Sequence, residues 1–116
     1  MKFGGWLPLN DAPAVAPEMP GVLQARADAL IPYPKGKSAM VLYARSRADQ
    51  PLRHYVAGAG AAGLGRAAAA GARWIRFADS PDPDREFERL LRRFLERFGA
   101  TPTANDDDQG ARTTDG

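Results

Sequence analysis

The sequence predicts a small α+β domain, in which a three-stranded antiparallel sheet is flanked by helices. Two segments of β-type composition, residues 21–27 and 39–45, lie on either side of a connection rich in proline and glycine. Further along, residues 73–78 alternate charged and apolar side chains, and residues 83–98 contain one apolar stripe at helical spacing. A length of 116 residues supports a single domain.

The first 20 residues are expected to form an extended N-terminal arm. They contain four prolines, and proline fixes the backbone angle φ and removes a hydrogen-bond donor, which excludes a continuous helix. Trp6, Leu7 and Leu9 are the apolar side chains expected to hold this arm against the core.

The sheet is expected to begin with an antiparallel pair. Residues 21–27 and 39–45 form its strands, and residues 27–37 are expected to be an irregular connection because prolines and a glycine interrupt them. A helix is expected to open at residues 52–57, followed by a connection rich in glycine and alanine over residues 58–72. The third strand then joins the same sheet.

The last helix has clear start and stop signals. Asp82 can cap its N-terminus with Pro83 in the first helical position, and Gly99 can end it in the left-handed conformation. The apolar stripe consists of Phe87, Leu90, Leu91, Phe94, Leu95 and Phe98. The domain is therefore assigned to residues 21–103. Residues 104–116, which have little to bury and include a run of aspartates, are expected to be a disordered acidic tail.

Sequence motifs in the predicted strands and after the last helix resemble those of a known family. The first strand reads PGVLQAR, the second segment reads YPKGKSAMVLYARS, and the residues after the helix include PTAN. This pattern resembles the GIY-YIG nuclease superfamily, in which a Gly-Ile/Val-Tyr strand precedes a Tyr-Ile/Val-Gly strand and the chain closes on P-x-x-N. The resemblance covers residues 20–105. It implies the GIY-YIG-like order of two strands, a helical segment, a strand and a long helix.

The resemblance also implies a catalytic site, whose residues are matched one by one. In the family, two strand tyrosines and a helix arginine surround the scissile phosphate. With Gly21 at the first glycine, Leu23 stands at the first tyrosine. The second tyrosine matches Leu42, with Ala44 as the glycine, or Tyr43 if the register shifts by one residue.

The helix positions of the family are matched in the same way. Arg53 corresponds to the helix arginine. The glutamate that holds the family's divalent metal matches Phe87, and a slip of one residue would place Glu86 or Glu88 there instead. An active enzyme would therefore use Tyr43, Arg53 and one of these glutamates, with Mg²⁺ or Mn²⁺, as a metal-dependent endonuclease.

Charge is distributed unevenly along the chain. The formal net charge is +2, but residues 26–76 contain nine lysines and arginines against two aspartates. Such a basic segment predicts a surface for nucleic acid. The residues proposed to contact it are Lys35, Lys37, Arg45, Arg47, Arg53 and Arg73.

A glycine pattern offers a remote alternative. Gly58, Gly60 and Gly63 form G-x-G-x-x-G, and Asp79 follows at the end of the predicted third strand. That arrangement resembles a dinucleotide-binding fingerprint, which needs a strand directly before the first glycine and a helix after it.

The remaining composition limits the kind of protein this can be. The chain has no cysteine, which excludes disulfides and thiolate metal sites, and no apolar run approaches the ~20 residues of a membrane span. We therefore expect a cytoplasmic protein without a membrane partner. The leading hypothesis is a non-catalytic, GIY-YIG-like module that binds nucleic acid or a protein and needs no metal or cofactor, and the active endonuclease is its alternative.

Overall fold

The computed structural model describes residues 2–105 and confirms the α+β class. Its sheet is antiparallel throughout, with strand order β1-β4-β2-β3. The strands are β1 (Leu7–Pro8), β2 (Gly21–Tyr33), β3 (Gly36–Arg45) and β4 (Ala72–Asp79). The helices are α1 (Ala12–Val15), α2 (Leu52–Ala57), α3 (Ala61–Ala69) and α4 (Pro83–Phe98), and a 3-10 turn spans Leu9–Asp11.

The sheet has four strands in the described part of the chain, so the prediction of three was wrong. The additional strand comes from the N-terminal arm, where Leu7 lies opposite Ile75 and Pro8 opposite Trp74. The Gly4 amide also donates to the Phe77 carbonyl at 2.9 Å. Two paired residues are too few to produce an alternating pattern, which is why β1 has no signal in the sequence.

The first two long strands pair as predicted, but residues 27–37 are not an irregular connection. β2 continues to Tyr33 and β3 starts at Gly36, so only two residues separate the strands. Proline has no amide hydrogen, but Pro32 is tolerated in β2. Ala27 is the last residue of β2 that pairs with β4, so beyond Ala27 that edge of β2 has no neighbouring strand and needs no amide donor. The Tyr33 hydroxyl donates to the Met40 carbonyl at 2.6 Å, which ties the two strands together near their ends.

The two faces of the sheet have different chemistry. Leu23, Ala25 and Ile75 belong to the buried core, together with Leu52 and Val56 of α2. Because side chains alternate along a strand, the residues between them point to the opposite face. There Gln24 lies opposite both Tyr43 and Arg76, and α4 covers the β3 side.

The predicted caps of α4 are confirmed. The Asp82 side chain accepts a hydrogen bond from the Arg85 amide at 3.3 Å, Pro83 occupies the first turn, and Gly99 has a φ of 80°. Phe94 is 4 % exposed and its ring lies between Tyr33, Tyr43 and Phe98, with centroid distances of 5.1, 5.5 and 4.5 Å.

After α4 the chain returns to the sheet. Ala104 and Asn105, which were assigned to the tail, are buried in the domain. The Asn105 side chain accepts from the Tyr43 amide and donates to the Tyr43 carbonyl, both at 2.8 Å, as a neighbouring strand would. The rest of the predicted tail, residues 106–116, lies outside the described residues.

Candidate nucleic-acid interface

The positions matched to the family's strand tyrosines are Leu23 and, in the unshifted register, Leu42, and both leucines are buried. Leu23 is 0 % exposed and Leu42 is 2 % exposed, and both belong to the core cluster against α2. Gly21, the first residue of the motif, is held by Ser46, whose hydroxyl accepts from the Gly21 amide at 3.0 Å. β2 and β3 therefore pair antiparallel, and Leu23 and Leu42 contribute apolar packing to the core.

Tyr43 lies on the opposite face of the sheet from these leucines. Its ring packs against Phe94, and its hydroxyl is close enough to Arg76 and Arg93 to be affected by their charge. Burial raises the pKa of Tyr43 to about 12, against the opposing effect of Arg76. A phenol with this pKa stays protonated at neutral pH.

The other residues of the nuclease alternative are not brought together with Tyr43. Arg53 belongs to α2, on the Leu23 side of the sheet, and its guanidinium binds Glu18 at 3.0 Å and the Ala16 carbonyl at 3.0 Å. On α4, Glu86 accepts a hydrogen bond from Arg89 at 2.8 Å.

The carboxylates present do not fit a divalent metal site. Within residues 2–105, no group of three or more His, Cys, Asp or Glu side chains is placed to hold a metal ion. Glu86 is paired with Arg89, and Glu88 lines a shallow groove with Leu91, Leu95 and other side chains of that region. Mg²⁺ is usually held by one or two carboxylates together with waters and substrate phosphates, and the carboxylate beside Arg53, Glu18, is paired with that arginine.

The glycine pattern does not have the geometry of a dinucleotide fingerprint. The segment before it is helix α2, and Gly58 and Gly60 form the turn between α2 and α3. A side chain at Gly60 would collide with the Tyr55 ring at 2.4 Å, so this glycine is required for packing between the two helices. Asp79 pairs with Gly21 in the sheet.

Three of the six proposed nucleic-acid contacts are paired with acidic side chains. The pairs are Arg45 with Asp84, Arg47 with Asp49 at 3.5 Å, and Arg53 with Glu18 at 3.0 Å. All three lie at the end of the sheet where β2 begins and β3 ends. Their positive charge is therefore largely offset locally.

The other three proposed contacts lie elsewhere. Lys35 and Lys37 are exposed at the hairpin tip, and Lys37 is eight residues from Arg45 along β3, or about 27 Å. Arg73 lines an open cavity of about 450 Å³ together with Asp28 and Trp74. The structure therefore does not gather the six residues into one surface.

A further group of cations lies beside the hairpin tip and was missed in the sequence. The Lys35 amide donates to the Phe98 carbonyl at 3.0 Å, which places the tip against the end of α4. Arg93 and Arg97 are exposed one turn apart on that part of the helix. The sequence shows that Arg93 and Arg97 are spaced to lie on one side of a helix. It does not predict the hairpin that brings Lys35 and Lys37 close to them.

A second missed group lies where the arm crosses the sheet. The guanidinium carbons of Arg26 and Arg76 lie 4.4 and 4.5 Å from the centre of the Trp6 ring, and that of Arg76 lies 4.6 Å from the Phe3 ring. Strand alternation in the sequence places Arg76 with Trp74 on one face, but the sequence does not show that Arg26 lies on the neighbouring strand.

No family model matches this chain, and neither the curated proteins nor the solved structures include a match. Of the helices in the described residues, none combines the length and apolar character needed to cross a bilayer.

Proposed function

We propose that this chain is a non-catalytic nucleic-acid-binding domain, with a GIY-YIG-like arrangement of strands and a degenerate nuclease site. The observation that supports this most directly is the burial of Leu23 and Leu42 in the apolar core. In the unshifted register these are the two positions at which the family has the hydroxyl groups that surround the phosphate. A nuclease needs groups that activate water and stabilise the leaving oxygen, and leucine does neither.

Nucleic acid is the favoured partner because four cations that pair with no carboxylate of the described residues lie together near the end of α4. We call Lys35, Lys37, Arg93 and Arg97 the hairpin-tip surface. All four side chains are exposed, and none forms an ion pair with a carboxylate of the described chain. A phosphate backbone bound there would release counterions, which favours association at low salt.

Binding is tested by fluorescence anisotropy with labelled single-stranded and duplex DNA and RNA, at several salt concentrations. We expect weak binding whose affinity falls steeply with salt. The double variant Lys35→Gln, Lys37→Gln should bind more weakly and lower the salt slope by about 2. Its control is Arg85→Gln, Arg92→Gln, which removes the same charge from exposed positions of α4 outside the surface.

Catalysis is tested with the same oligonucleotides in Mg²⁺ or Mn²⁺. We expect no cleavage products. Cleavage that Glu86→Ala or Glu88→Ala abolishes would overturn the proposal in favour of the endonuclease. Absence of binding to every oligonucleotide at low salt would instead leave a protein partner as the better hypothesis.

A further inference from the structure

Arg26 and Arg76 form a pair of cations that the hairpin-tip surface does not include. They lie on neighbouring strands, β2 and β4, on the sheet face that α4 covers mainly at β3. Both guanidinium groups contact the Trp6 ring, so one aromatic side chain of the arm holds both cations. Cation–π contact of this kind fixes a guanidinium plane without using its hydrogen-bond donors.

The donors of this pair are mostly unused. The Nε of Arg26 is buried without a hydrogen-bond partner. Arg76 donates from Nε to the Gln24 amide oxygen at 2.7 Å, and its terminal nitrogens have no acceptor among the described residues. No carboxylate in residues 2–105 forms an ion pair with either arginine. Because the Nε of Arg26 is buried, an acceptor from outside would have to bind the terminal nitrogens of the two guanidiniums.

The charges around the pair are also favourable for an anion. Burial lowers the pKa of Arg76, Tyr43 opposes that shift, and Arg26 lowers it further. Arg93 of α4 also acts on Tyr43, so two arginines, Arg76 and Arg93, lie near its hydroxyl, and Arg26 lies near Arg76. Guanidinium groups bind phosphate oxygens through paired N–H donors, and two neighbouring guanidiniums can share one phosphate.

We propose that Arg26 and Arg76 bind one phosphate group of a nucleic-acid strand, with Trp6 holding the two guanidiniums in place. This inference rests on the proposed function and specifies a contact for it. It places the strand across the sheet face, from the hairpin-tip surface past Arg93 to the N-terminal arm.

The test uses the full chain and the single variants Arg26→Gln and Arg76→Gln, with Arg92→Gln as the matched loss of one exposed charge. We expect each of the first two to weaken oligonucleotide binding about tenfold and to lower the salt slope by about 1. Arg92→Gln should change binding by less than about twofold. The slope of affinity against salt concentration separates the loss of a phosphate contact from a structural effect. Arg26→Lys and Arg76→Lys keep the charge, so both variants should have the salt slope of the wild-type chain.

A second measurement follows Trp6 fluorescence in a Trp74→Phe background while oligonucleotide or inorganic phosphate is added. A change with the oligonucleotide that Arg26→Gln removes supports the site. A response to inorganic phosphate without oligonucleotide binding would overturn it as a nucleic-acid contact. Oligonucleotide binding that neither arginine variant affects would overturn this inference alone, whereas no oligonucleotide binding by the wild-type chain would overturn the proposed function as well.

Discussion

At Gly21, β2 comes so close to β4 that a methyl group cannot fit. A Cβ atom built there lies 2.0 Å from the Ala78 carbonyl oxygen and 3.0 Å from a Leu52 side-chain carbon. Gly21→Ala should therefore force the strands apart and lower the free energy of unfolding by about 1–3 kcal/mol or more. Urea denaturation measures this, and Gly5→Ala is the control because nothing lies within 4 Å of its added methyl. Equal stability of the two variants would contradict the close approach.

Tyr43 provides a pH-dependent prediction. Its pKa in the folded protein is raised from 10.0 to about 12, so the phenol of the unfolded chain ionises first as pH rises. The stabilising effect is fully present below pH 10 and is lost between pH 10 and 12, where the free energy of unfolding should fall by roughly 2–3 kcal/mol. Denaturation at several alkaline pH values tests this against Tyr43→Phe, which should lose that part of the pH dependence. The same alkaline slope in both proteins would rule out the shift.

At the level of elements, α4 is held to the sheet mainly by one aromatic ring. Phe94 is 4 % exposed and contacts three other aromatic rings, whereas its neighbour Leu95 is 46 % exposed. Phe94→Ala should lower the free energy of unfolding by about 3–5 kcal/mol, because the cavity lies between the helix and the sheet. Leu95→Ala removes an apolar side chain from the same turn and should cost less than about 1 kcal/mol. Thermal or urea unfolding compares them, and a similar loss in both would mean that α4 packs through another face.

The elements that the sequence predicts correctly are those with a repeated or capped pattern. α4 has an apolar stripe over about three turns and is bounded by Asp82 and Gly99, and β4 alternates over six residues. β1 pairs only two residues and has no such pattern. The length of the hairpin depends on tertiary contacts instead, since Tyr33 packs on Phe94 and Phe98, which are sixty residues further along the chain.

For the molecule as a whole, local charge density was a poor guide to the candidate surface. Arg45 and Arg53 belong to the basic segment, but each pairs with a carboxylate more than thirty residues away in sequence. Arg26 and Arg76 are fifty residues apart and come together only because β2 and β4 are neighbours in the sheet. Leu23 and Leu42, by contrast, lie in strands that the sequence predicts, and both are buried in the core.

The acidic end of the chain predicts competition for the same cations. Residues 106–116 contain four aspartates and one arginine, and they follow directly on Asn105, whose side chain binds the backbone of Tyr43 beside Arg76 and Arg93. Ending the chain after Asn105 removes four aspartates and one arginine and raises the net charge from +2 to +5. We expect the shortened protein to bind oligonucleotides roughly tenfold more tightly at low salt, with a smaller gain as salt screens the charges.

The effect of the tail's charge on binding can be separated from the effect of its size with a full-length variant. Asp106→Asn, Asp107→Asn, Asp108→Asn removes three charges and keeps the length of the tail. The carboxylates of the tail can repel phosphate or bind the arginines in its place, and both effects need their charge. This variant should therefore show most of the increase in oligonucleotide affinity that we expect of the shortened protein, measured by anisotropy titration. A gain in the shortened protein alone would mean that the tail acts by blocking access. No gain in either protein would show that the aspartates do not compete for the arginines beside Tyr43.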